Sequence, residues 1–107
     1  MERISWNILK EVYKKRDAWV HKHNFGNLLV IGGSKLYPTT PILVALAAYR
    51  SGTDWVTISA PEEASKIIAS YSPNLMVFPF KGEFLSLEVI DELVNISEKR
   101  DAIEIGG

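Results

Sequence analysis

Four short apolar runs, Leu28–Ile31, Trp55–Ser59, Leu75–Phe80 and Ala102–Ile105, recur along this chain, and a segment of helical character separates each from the next. Runs of this length suit strands, and the first, flanked by glycine, suits a strand buried on both faces. Strands and helices that alternate at this spacing form parallel pairs joined by right-handed crossovers. The expected class is therefore α/β, with a three-layer, Rossmann-like, mostly parallel sheet. Pro79 lies inside the third run, which places that run at a sheet edge or at a strand terminus.

The intervening segments carry their own start and stop signals. A first helix is expected over Ser5 to Lys15, with Ile4, Ile8, Leu9 and Val12 at helical spacing and Ser5 at the cap. Residues 1–20 form this helical lead-in and part of a polar connector that runs from Arg16 to Asn24. Pro41 to Ser51 reads as a second helix, capped by Thr39 or Thr40 and closed by Gly52. A third runs from Glu62 to about Tyr71 after a turn at Ala60-Pro61, and a fourth from Ser86 to about Ser97.

Length and composition exclude several classes. A chain of 107 residues, 47% of them hydrophobic, is expected to form one domain with a packed core rather than a disordered segment. Its net charge of −1 points to no nucleic acid and no acidic membrane as partner. The one basic run, Lys14-Lys15-Arg16, is read as complementing the end of the first helix. The absence of cysteine removes disulfides, thiol catalysis and Cys-type zinc sites. Neither a signal peptide nor a run long enough to span a bilayer is evident, so a soluble, cytoplasmic protein is expected.

The densest candidate site is His21-Lys22-His23-Asn24-Phe25-Gly26-Asn27, then the strand to Ile31, then Gly32-Gly33-Ser34 and Tyr37-Pro38-Thr39-Thr40-Pro41. A glycine turn with a hydroxyl, set between a strand and a helix start, can bind an anion through backbone N–H groups. It can equally be a tight turn that needs positive φ. Ligands of such sheets sit beyond the carboxyl ends of strands, which singles out Gly32 to Thr40, Ala60 to Glu63 and Gly106-Gly107. Gly33, Ser34, Tyr37, Thr40 and Gly106 are the candidate substrate-binding residues. Lys22 either reaches a phosphate as a point charge or is solvated beside the first strand. His21 and His23 share one face if extended, but no carboxylate or third histidine completes a metal set. Asp101 begins a strand, away from the carboxyl-end crevice. No Ser-His-Asp or paired-carboxylate arrangement appears, and no catalytic residue is assigned.

These residues resemble the ADP- or ATP-dependent NAD(P)H-hydrate dehydratases, a branch of the ribokinase-like, carbohydrate-kinase-like fold. The resemblance rests on His21-Lys22, Phe25-Gly26 and Leu29 to Ser34; then Tyr37 and Pro41; then Ala48-Tyr49-Arg50-Ser51-Gly52; then Ser72-Pro73-Asn74-Leu75-Met76; and finally Asp101 to Gly106. It covers about residues 21–107 and corresponds to the amino-terminal half of the family's domain. It implies a hydrated NAD(P)H substrate and ADP or ATP with magnesium, the nucleotide loop and catalytic aspartate belonging to the family's other half. The chain departs from the family at Thr39-Thr40, where Gly-Ala is usual, and at Glu104, where an apolar residue is usual and where a charge is costly if the strand is central.

Two readings of function follow. In the first, the chain is the substrate-side half of a dehydratase, inactive alone. In the second it is a non-catalytic, self-associating α/β module with weak or no nucleotide binding. Either way a homo-oligomer, or a second chain supplying the other half, is expected to cover the exposed sheet edge. Trp55, Phe78 and Phe80 are expected near that contact.

Overall fold

The computed structural model describes residues 3–22 and 24–106. The element order is α1 (Trp6–Val12), β1 (Asn27–Gly32), α2 (Thr40–Arg50), β2 (Trp55–Pro61), α3 (Glu62–Tyr71), β3 (Met76–Phe80), α4 (Ile90–Ser97, entered through a 3-10 turn at Leu87–Val89) and β4 (Ala102–Gly106). The strands form one parallel sheet in the order β3-β2-β1-β4. Pro79 lies in the edge strand β3, where a missing N–H need cost no ladder bond.

The two inner strands are covered on both faces, while Ile103 and Ile105 of β4 stand exposed. Val30, Val56, Ile58 and Ala60 pack against Ile42 and Ala45 of α2 and Ala64 and Ile68 of α3. On the opposite face Leu29, Ile31 and Phe80 pack against Val89 and Leu93. β1 is inaccessible at Leu29 and Val30 because neighbouring residues point into different layers, each of them filled. Thr57 and Ser59 are buried polar residues of β2, and both are satisfied. The Thr57 hydroxyl accepts from the Trp55 indole at 3.2 Å, and Ser59 donates to the Phe78 carbonyl at 3.0 Å. Phe80 is 2% exposed. It is a core side chain of this sheet, unlike Phe78, which stands 44% exposed on the edge strand.

The helix ends follow their sequence signals in part. α2 closes as expected at Gly52, with φ of +99°. The Gly52 N–H donates to Tyr49 and the Thr53 N–H to Ala48, both at 3.1 Å. Those two bonds make a Schellman closure, which needs a left-handed residue at that position. Ser5 and Thr39 hold the cap positions of α1 and α2, yet neither side chain makes a capping bond. β2 runs through Pro61 directly into α3, so Ala60-Pro61 is strand rather than turn.

α1 departs most from expectation. It stops at Val12 and buries none of its residues, with Trp6 81% exposed and Val12 65% exposed. Lys14-Lys15-Arg16 therefore lies beyond the helix rather than in its last turn. Arg16 instead reaches the close of α2, where it donates to the Gly52 carbonyl, pairs with Asp54 at 2.9 Å and lies 4.0 Å from the centre of the Phe25 ring. Those partners anchor the connector to the amino end of the sheet.

Candidate functional site

The strand order creates a switch point. From β1 the chain moves through α2 and α3 on one face to β2 and β3, then crosses to the other face through α4 to reach β4. The connections leaving β1 and arriving at β4 thus lie on opposite faces, and a crevice opens between the carboxyl ends of these two strands. Gly32 and Gly106 are register partners at that end.

Glycine at position 32 is a spatial requirement. A Cβ built there would lie 1.9 Å from the Gly106 carbonyl oxygen. Gly33 is needed for another reason, its φ of +81°. A Cβ on it would also press on the Pro41 ring at 3.2 Å. This turn lays the buried Pro41 and the first turn of α2 over the end of β1. The loop that follows is closed by a reciprocal pair: the Ser34 N–H donates to the Tyr37 carbonyl at 3.2 Å, and the Ser34 hydroxyl accepts from the Tyr37 N–H at 3.1 Å. The Lys35 N–H donates to the Glu83 carbonyl at 3.0 Å, and its ammonium meets the Glu83 carboxylate at 2.7 Å. That bond and the Glu83 charge raise the Lys35 pKa above its ordinary value. The loop after β3 is thereby tied to the loop after β1.

Gly33, Ser34, Tyr37 and Thr40 follow β1 and Gly106 closes β4, so these candidates gather at the carboxyl ends of the two central-to-edge strands. Tyr37 is 69% exposed at the loop tip and Thr40 opens α2. The anion-nest reading of Ser34 is altered in detail, because the Ser34 and Lys35 N–H groups already have protein acceptors. Ser34 retains its hydroxyl proton and one oxygen lone pair. Lys22 lies at the other end of the sheet, its ammonium 5.3 Å from the Trp55 ring at the start of β2. It borders a hollow with Tyr49, Asp54 and Asn74 and does not join the switch-point group. His23 and Gly107 lie outside the described residues, and with them the His21/His23 pairing and the second glycine of the closing pair. Among the described residues no group of three or more His, Cys, Asp or Glu side chains is placed to hold a metal ion. No helix among them is long and apolar enough to cross a membrane.

The carboxylates near strand starts hold backbone. Asp101 accepts from the Asn27 N–H at 2.9 Å, and Asp54 accepts from Phe25 at 3.1 Å. Asn27 binds the Lys99 carbonyl and the Arg100 guanidinium, which joins the amino ends of β1 and β4. The Lys35–Glu83 link was not evident from sequence, since two charges separated by 48 positions carry no local signal.

A parallel sheet of this order, with helices on both sides and a closed loop leading from β1 into a helix, is an α/β fold of the ribokinase-like class. The family model described as NAD(P)H-hydrate dehydratase matches residues 28–107, and the chain belongs to this family. It is 40% identical over 86 residues to a bifunctional NAD(P)H-hydrate repair enzyme Nnr of Methanothermobacter thermautotrophicus, covering 80% of this chain and 17% of that one. It is 42% identical over 81 residues to an ADP-dependent (S)-NAD(P)H-hydrate dehydratase of Natrialba magadii, covering 76% and 31% respectively. A crystal structure of a hypothetical protein from Streptococcus mutans superposes with a TM-score of 0.73 at 28% identity, over 96% of this chain and 35% of that one. The chain thus spans a minority of the length of each of these relatives.

Proposed function

We propose that this chain is the substrate-side portion of an NAD(P)H-hydrate dehydratase, binding a hydrated nicotinamide nucleotide at the switch point between β1 and β4. The observation that carries the reading is the Gly32–Gly106 pair at the strand ends, inside the segment that the family model matches. Glycine at position 32 lets the ends of β1 and β4 close on each other, and this sets the floor of the crevice. The Ser34 hydroxyl, Tyr37 and Thr40 are the groups that would touch it. Phosphate activation belongs, by the family resemblance, to the nucleotide loop and aspartate of the domain's other half.

An apolar hollow of about 490 Å³ supports the need for further polypeptide. It is lined by Leu87, Ile90, Val94, Ile103 and Ile105, on α4, the turn before it and the free side of β4. The occupant proposed is the family's remaining half, which would extend the sheet past β4. The relatives carry most of their length outside the matched region.

The test is calorimetric titration of the pure chain with hydrated NADPH, followed by an assay for ADP- or ATP-dependent formation of NADPH. Binding without turnover is expected, with turnover appearing when a polypeptide comprising the family's second half is added. Turnover by the chain alone would overturn the division of labour, and no binding of the hydrate would overturn the substrate assignment. A dimer that protects Ile103 and Ile105 from solvent would make a second copy the occupant of the hollow.

A further inference from the structure

Glu104 is the residue whose chemistry the fold does not use. It lies in the middle of β4, in register with Val30 of β1. Register partners project to the same side of a sheet, so its side chain emerges on the face that α2 and α3 cover. Among the described residues its Oε2 is the one side-chain oxygen or nitrogen that is both sealed from solvent and without a hydrogen-bond partner. The ion pairs of the described residues join other groups: Arg16 with Asp54, Lys35 with Glu83, and Lys66 with Glu63. The residue as a whole is only half-buried, yet a sealed carboxylate oxygen without a partner calls for a reason.

Its direction supplies one. A Cβ placed on Gly106 would lie 3.0 Å from Glu104 Oε1. The carboxylate therefore reaches along the strand to the level of Gly106, and Gly106 is the partner of Gly32 at the crevice. The charge stands at the wall of the switch point, on the side from which α2 departs. A carboxylate has only acceptor capacity, and at this position it repels phosphate while favouring N–H and O–H donors.

We propose that Glu104 is a specificity-determining residue that accepts a hydrogen bond from an uncharged, donor-bearing part of the ligand, such as a carboxamide or a sugar hydroxyl, and turns phosphate groups away from this corner. The inference rests on the substrate reading above. It sets the orientation: the nicotinamide–ribose end of the nucleotide enters between β1 and β4, and the pyrophosphate points out past Tyr37. Rotation about the last side-chain bond exchanges the two carboxylate oxygens, so either can meet the donor.

The experiment titrates the full chain and its E104Q and E104V variants with three probes: hydrated NADPH, dihydronicotinamide riboside and inorganic pyrophosphate. Loss of a charge-assisted hydrogen bond weakens binding about 10- to 100-fold. That loss is expected for the hydrate and the riboside with E104V, a smaller loss with E104Q, and no loss for pyrophosphate. E104V removes an unpaired charge and adds a strand-favouring residue, so it is expected to melt no lower than the parent and to remain testable. Unchanged or tighter binding of the riboside by E104V overturns the proposal, as does binding of pyrophosphate that weakens in parallel. If the parent chain binds the riboside but not the hydrate, and E104V loses the riboside, Glu104 keeps its role while the dehydratase reading fails. A parent chain that binds none of the three probes refutes both.

Discussion

Replacing Gly32 by alanine tests whether the approach of β1 to β4 shapes the switch point. The added Cβ would stand 1.9 Å from the Gly106 carbonyl oxygen. A carbon–oxygen contact ordinarily settles at about 3.3 Å, so the end of β4 must retreat by more than an ångström. The obstacle is backbone in a paired strand, and rotation of a side chain cannot relieve it. Gly32 is not in the left-handed region, so strain in φ does not contribute. Overpacking of this kind costs about 1–3 kcal/mol, and for a domain of this size each kcal/mol lowers Tm by about 4–8 °C. Urea unfolding followed by circular dichroism should show a lower midpoint with an unchanged slope. Hydrogen exchange should show faster exchange confined to the end of β4 and its partner. A midpoint within error of the parent, with full protection at Ile105 and Gly106, would refute the reasoning. Glycine at this position would then serve something other than the closure of two strands.

Three further outcomes follow from the geometry. Asn27→Ala removes one neutral bond to Lys99 and one charge-assisted bond from Arg100 at a position only 8% exposed; a loss of about 2–4 kcal/mol is expected in denaturant titration, and a loss below the cost of one hydrogen bond would show that water replaces the network. Lys35 should titrate above its ordinary 10.5 because of the bond to Glu83 and then the Glu83 charge, and the Glu83→Gln variant should lower it toward that value, as read by NMR of the side-chain methylene next to the ammonium. With the folded value raised, the tie between the two loops is fully present below pH 10.5 and is lost as pH rises through the folded value. Glu63 is shifted the other way by its bond to Lys66 and then by the Lys66 charge, so its small contribution is present above its ordinary value of 4.5 and fades as pH falls through the lowered one. A Glu63 titration at or above 4.5 would show that the pair does not persist in solution.

Much of the architecture is legible in the amino-acid sequence itself. The four apolar runs are strands within a residue or two at their starts, and α3 spans the residues expected, because burial on a parallel sheet writes a near-continuous apolar signal and acidic residues mark a helix start. Pro79 announced a sheet edge or a strand terminus, of which the fold takes the edge, and Gly52 announced a helix end, each through a backbone property that no tertiary contact can alter. The family, too, was readable from an ordered set of short motifs.

Other features depended on assembly of the fold. The sequence predicts that α1 has an apolar stripe, but a stripe needs a partner, and none of its residues is buried. Phe78 and Phe80 look alike in sequence, yet one lies 44% exposed and the other 2%, since only Phe80 reaches the layer under Val89 and Leu93. The meeting of Gly32 with Gly106, 74 residues later in the chain, and the solitary carboxylate of Glu104 beside them follow from strand order. Local periodicity determines which segments become strands and helices. Which strand lies next to which is decided by packing of whole layers, and the candidate site exists only where two such strands part.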